Sequence, residues 1–298
     1  DKGGLLGSGD LPLSQVRANA AVLAGLLDES KDEDVLKETC LGLCRLFGEG
    51  IQNDRIQSIL EADVVPKLVG LLQPRFSDGG VPSFPVPVSI QSAALQVIGN
   101  IACGDDRQTQ VIIDCHALPC LKALLNSGER GIRKECCWIV SNITESAHQV
   151  QDVIDAGILP PLINLLESQD TACREDATWV LYNVTANRDP SQIRYLAEHN
   201  GIRALCGLLT CSKELDVLWK GCGTVAAVAL KGIRNLLVVG EELPREDGMS
   251  NPFALMVADA HGVEKVEMLT ANRSSDVRTR AQTILRGFFG AERPVTPP

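Results

Sequence analysis

Two tryptophan–asparagine pairs have spacing that could do chemistry. Trp138 and Asn142 are four residues apart, as are Trp179 and Asn183. On a helix, that spacing places both side chains on one face, one turn apart. An acid stands three positions before each tryptophan, Glu135 and Asp176, on the same face. Parallel indoles leave slots for the aliphatic stem of a lysine or arginine, and their faces attract the cation by ~0.5–2 kcal/mol each. An asparagine amide offers both a donor and an acceptor, so it holds a peptide backbone without reading its sequence. The carboxylates then select Lys or Arg heads. The sum is a groove for an extended basic peptide. A lone tryptophan in a helix is usually core. Two pairs in phase, each preceded by an acid, argue against that. Trp219 has no such asparagine and reads as packing.

Catalysis finds less support. His116, His148, His199 and His261 have no Cys, Ser or Asp at a nucleophile–base spacing. There is no phosphate loop, GxSxG or HExxH motif. The 11 cysteines include no CxxC and no Cys/His cluster at zinc spacing, so neither a metal site nor a cofactor is expected. They read as reduced, buried helix residues. The chain is expected to be a binding protein and not an enzyme.

The elements that must carry the pairs repeat. VVPKLVGLL at Val64–Leu72 returns as ALPCLKALL from Ala117 and ILPPLINLL from Ile158, with degenerate copies from Gly201 and Gly262. A second phrase ends on an asparagine, at Asn100, Asn142, Asn183 and Asn235, with spacings of 42, 41 and 52. The long interval contains an insertion around residues 211–225, and a second insertion, 74–88, is rich in Pro and Gly. A helical period of about 42 lies in the armadillo/HEAT range. Within one unit, Val153, Ile154, Leu159, Leu162, Ile163, Leu165 and Leu166 give the amphipathic i, i+3, i+4 pattern. Gly157 ends a first helix, Pro160 and Pro161 suit the first turn of a second, and ESQD precedes a third. Three helices per unit favour armadillo. The fold expected is all-α, a right-handed superhelical solenoid in which stacked units share one core. Residues 15–290 form one domain, with a partial repeat at 15–50 and full repeats at 51–104, 105–146, 147–188, 189–243 and 250–290. Residues 74–88 are read as an exposed loop, and 1–14 and 291–298 as linker or disorder.

Charge agrees with a basic ligand. Lys+Arg number 28 against 38 Asp+Glu, a net charge of −10. An acidic chain is a poor general binder of nucleic-acid phosphates and a good partner for a basic chain. No run of 18 apolar residues suggests a membrane span, and the first residues carry no signal peptide.

The sequence resembles importin-α (karyopherin-α), the armadillo adaptor that recognises nuclear localisation signals. The segments that carry the likeness are ETCLGLCRLFGEG, VIGNIACGDDRQTQVIIDCHALPCLKALL, IRKECCWIVSNIT, REDATWVLYNVT and HGVEKVEMLTANRSSDV. Their order matches the C-terminal portion of the family's array, which implies that this chain is a fragment or a reduced relative. By resemblance, Glu135, Trp138, Asn142, Asp176, Trp179 and Asn183 belong to the family's minor signal-binding site. Asn100 precedes them in the asparagine ladder and Asn235 continues it. Gly104, Asp106 and Thr109 lie in a loop that helps hold a lysine in the family. Three positions depart from its pattern. Leu41 replaces Trp, Arg45 replaces Tyr and would repel a basic ligand, and Gln96 replaces Arg. The resemblance implies a nuclear import adaptor shuttling between cytoplasm and nucleus. Its partners would be basic nuclear localisation signals of cargo, an export receptor at the C-terminal repeats, and importin-β through an arginine-rich N-terminal segment that this sequence lacks. The competing expectation is an armadillo scaffold for another partner in signalling, adhesion or chaperone work.

Overall fold

A computed structural model describes residues 11–50, 52–76, 82–83, 86–167, 171–210, 222–244 and 250–290. Its contacts divide the chain into two units, meeting between Ile158 and Leu159. The first unit holds α1 (Leu13–Glu29), α2 (Glu33–Leu46), α3 (Asn53–Leu60), α4 (Val64–Leu72), α5 (Val88–Ala102), α6 (Asp106–Asp114), α7 (Ala117–Leu124), α8 (Arg130–Ile143) and α9 (Val150–Asp155). The second holds α10 (Leu159–Glu167), α11 (Thr171–Ala186), α12 (Pro190–Glu198), α13 (Gly201–Gly207), α14 (Cys222–Glu242), α15 (Pro252–Asp259), α16 (Gly262–Leu269) and α17 (Ser275–Phe288). The fold is an armadillo-repeat solenoid.

Several helices start where a side chain satisfies their orphan amides. Asp32, Asp105, Asp189, Asn251 and Ser274 cap α2, α6, α12, α15 and α17 with their side chains. Asp105 and Gln108 form a reciprocal capping box. The prolines sit in first turns, Pro66 in α4, Pro119 in α7, and Pro160 and Pro161 in α10, where a missing N–H breaks no helical bond.

One local feature repeats at the turn before each second helix. Asp63 (φ 54°), His116 (φ 60°), Gly157 (φ 68°), Asn200 (φ 65°) and His261 (φ 54°) all adopt the left-handed conformation there. Asp, Asn and His tolerate that region better than most residues, and Gly does so freely. His116 and His261 are therefore turn residues by conformation.

The third helices form the spine. In the first unit α5 packs between α2 and α8, and in the second α14 packs between α11 and α17. Their inward residues are buried, among them Leu95, Ile98, Ile101, Ile139 and Ile143 in one unit and Val180, Leu181, Val184, Ile233 and Leu236 in the other. Glutamines strap first helices together. Gln108 Nε2 donates to the Asn53 carbonyl at 2.8 Å, and Gln149 Nε2 donates to the Asp106 carbonyl at 2.8 Å.

Two expectations are modified. The 74–88 insertion is not only loop, since Arg75–Phe76 pairs antiparallel with Pro82–Ser83. At the N-terminus, helix α1 begins at Leu13 and the Leu11 carbonyl accepts from the Arg55 guanidinium at 3.0 Å, so residues 11–14 are structured. Residues 1–10, Trp219, most of the 211–225 insertion and the 291–298 tail lie outside the described residues.

Candidate peptide-binding surface

The register of the third helices places the candidate residues in pairs four apart. These are Leu41/Arg45 on α2, Gln96/Asn100 on α5, Trp138/Asn142 on α8, Trp179/Asn183 on α11 and Lys231/Asn235 on α14. Both tryptophans are partly exposed, as are all four asparagines. Gln96 and Arg45 are exposed and Leu41 is half-buried.

In the first unit, the Trp138 indole lies across Gly99 of α5. A Cβ at Gly99 would collide with its six-membered ring. Glycine at 99 is thus what lets an indole seat there. One turn on, Asn142 Nδ2 donates to Cys103 Sγ at 3.4 Å, which orients the amide. Asn100 neighbours Gly99 on the same helix. Glu135 is half-buried near the Cys44 thiol, and burial holds its carboxyl above the usual glutamate range, against a smaller opposing effect of Lys134.

The loop residues separate. Asp106 is exposed at the start of α6, but its carbonyl is taken by Gln149. Gly104 packs against the Gln108 side chain. Thr109 is only 3% exposed, and its hydroxyl donates to Gln149 Oε1 at 2.8 Å. That hydroxyl joins two first helices and does not face a surface.

In the second unit, Trp179 and Tyr182 of α11 stand edge to face, with centroids 5.5 Å apart and planes at 79°. Lys231 of α14 places its Nζ 5.6 Å from the Trp179 ring and 5.5 Å from the Tyr182 ring. Asn235 Nδ2 reaches Thr185 Oγ1 at 3.4 Å, and Thr185 in turn donates to the Tyr182 carbonyl at 2.8 Å. Asp176 and Asn183 are partly exposed on α11.

Gly99, Tyr182, Thr185 and Lys231 are the residues that sequence reasoning passed over. A signal for Lys231 was present, since it precedes Asn235 by the same four residues as Trp138 precedes Asn142.

Other chemistry is weak. Burial pushes the Cys40 thiol up to about 12 and those of Cys44 and Cys206 to about 11, which makes them poor nucleophiles. Cys40, Cys44, Cys103, Cys115, Cys120 and Cys206 form no disulfide, and among the described residues no His/Cys/Asp/Glu group could hold a metal. No helix among them is long and apolar enough to cross a membrane.

The chain is similar to known proteins along most of its length. The armadillo/beta-catenin-like repeat matches residues 105–145 and 146–186. Importin subunit alpha-8 of Arabidopsis thaliana is 38% identical over 262 residues, which cover 87% of this chain and 54% of that protein. Importin subunit alpha-1b of Oryza sativa subsp. japonica is 37% identical over 278 residues, 92% of this chain and 48% of the relative. The chain thus spans about half the length of the curated relatives it matches. A designed armadillo repeat protein in complex with the peptide (KR)4 aligns with a TM-score of 0.71 and 26% identity, covering 90% of this chain and 99% of that one.

Proposed function

We propose, on the premise that this chain is an armadillo-repeat protein whose sequence follows importin subunit alpha over most of its length, that it is a nuclear import adaptor. It is a scaffold and not an enzyme, like the importin subunits and armadillo proteins it matches. Its ligands would be the basic nuclear localisation signals of cargo proteins. Importin-β and an export receptor are further partners under this reading, and the protein shuttles between cytoplasm and nucleus. The observation that carries the proposal is that both tryptophans keep exposed surface beside partly exposed asparagines at the same helical offset, on the third helix of each unit.

Under this mechanism each Trp/Asn pair takes one stretch of an extended peptide. Lysine stems lie along the indole, and the ammonium gains from the ring face. Asn142 uses one amide hydrogen on Cys103, so its other hydrogen and its Oδ1 serve the peptide backbone. Glu135 and Asp176 face the lysine heads. The complex of a designed armadillo protein with (KR)4 shows that this fold accepts such a ligand elsewhere.

The test is fluorescence anisotropy with a labelled lysine-rich signal peptide. Trp138→Ala should weaken binding by about 1–3 kcal/mol, as aromatic anchors do, and Trp179→Ala by less, because Lys231 already stands over that ring. A folded double variant that binds as tightly as the parent would sink the proposal, and preference for an acidic peptide would favour the scaffold reading.

A further inference from the structure

We infer that Lys231 is a built-in occupant of the cation box formed by Trp179 and Tyr182, so that this box is closed to a ligand's lysine until Lys231 is displaced. The inference rests on the basic-peptide reading above and refines it. It makes residue 231 the determinant of how many lysines the second unit reads.

The exchange of residues across the helix pairs explains the occupancy. On α5 and α8 the seat is Gly99 and the residue above it is Trp138. On α11 and α14 the position one before the ladder asparagine, equivalent to Gly99, is Tyr182, and the position equivalent to Trp138 is Lys231. Tyr182 fills the space that glycine leaves open, so an indole at 231 would have no seat. A lysine is slender enough to pass. It lays its ammonium over two rings set at 79°, 5.6 and 5.5 Å away. Two aromatic walls at those distances make a cation site.

The surroundings favour the bound cation. Asp276 on α17 interacts electrostatically with Lys231. Asp276 is also bridged to Arg280, with Nη2 to Oδ1 at 2.8 Å, so it is an ionised carboxylate near the box. Asn235, one turn beyond Lys231, is turned back onto Thr185 at 3.4 Å. An incoming lysine therefore meets an ammonium where the Trp/Asn pattern elsewhere would offer a ring face. To bind there it must displace an intramolecular competitor, whose effective concentration is high because it is tethered.

Anisotropy titrations with the same lysine-rich peptide test this, on the intact chain and on Lys231→Ala and Arg234→Ala. Arg234 is an exposed cation on the same helix, so its removal reports the general effect of charge. Circular dichroism checks that each variant is folded. Lys231→Ala should tighten binding roughly three- to tenfold, the range that freeing one cation–π site implies. Arg234→Ala should change it less than about twofold, as expected for a screened surface charge. An alanine scan of the peptide should gain one sensitive lysine in Lys231→Ala that the parent does not read. Binding by Lys231→Ala where the parent shows none would also support the inference. Equal affinity of Lys231→Ala and parent, or an equal gain in Arg234→Ala, would overturn it and leave the peptide-binding reading standing. If neither the folded parent nor folded Lys231→Ala binds, both the inference and that reading fall.

Discussion

Glu135 sets the expected pH response of the candidate surface. Burial raises its carboxyl above the ordinary glutamate value. A lysine ammonium placed beside it would stabilise the ionised form and release a proton on binding. Affinity for a basic peptide should therefore fall as pH drops through the raised value. Glu135→Gln should weaken binding at neutral pH and flatten this dependence. An unchanged pH profile in that variant would place the lysine heads elsewhere. Stability has the opposite sign. A carboxyl whose folded value exceeds its unfolded one stabilises the fold below the unfolded value, and that contribution is lost as pH rises through the folded value. Glu135→Gln should thus be neutral or stabilising at pH 7 in urea melts. The identity of Glu135 as a candidate was legible from its place three residues before Trp138. Its burial was not, because α2 and α5 supply the low-dielectric surroundings.

Among the elements, the turns before the second helices carry a repeated cost. His116 holds φ 60° where Gly157 holds φ 68°. A non-glycine residue in the left-handed region is strained by roughly 1–2 kcal/mol. Relief of that strain is partly offset by the greater chain entropy of glycine when unfolded. His116→Gly should therefore stabilise by about 0.5–1 kcal/mol, whereas Gly157→Ala should destabilise by about 1 kcal/mol or more, both read by urea unfolding. Loss of stability in His116→Gly would mean that the imidazole does more than fill a turn. The helices and first-turn prolines were readable from apolar periodicity and proline placement. The shared left-handed turn was hidden because Asp63, His116, Gly157, Asn200 and His261 differ chemically and agree only in conformation. The strand pair in the 74–88 insertion was not foreseen because its proline and glycine content was read as loop alone.

Over the whole chain, acidity and repetition work together. A net charge of −10 favours encounter with a basic partner at long range. The contacts proposed are charge-assisted, so peptide affinity should fall several-fold between about 50 and about 300 mM salt. A salt-insensitive isotherm would point to an apolar ligand. Each unit has its own third-helix stack and its own Trp/Asn pair, so the variants of Trp138 and Trp179 test the two units one at a time.

The sequence by itself determined the helix periods, the repeat of about 42 residues and the four-residue offset of tryptophan from asparagine. These are local properties, set by the 3.6-residue turn and by which side chains cannot be left in water. Only the tertiary structure decided that Gly99 seats Trp138, that Thr109 is sealed against Gln149, and that Lys231 stands over Trp179. Each joins residues on different helices, 39, 40 and 52 positions apart in the sequence. Such contacts depend on how one helix registers against the next. A periodic sequence leaves that register open until the side chains between the helices are packed.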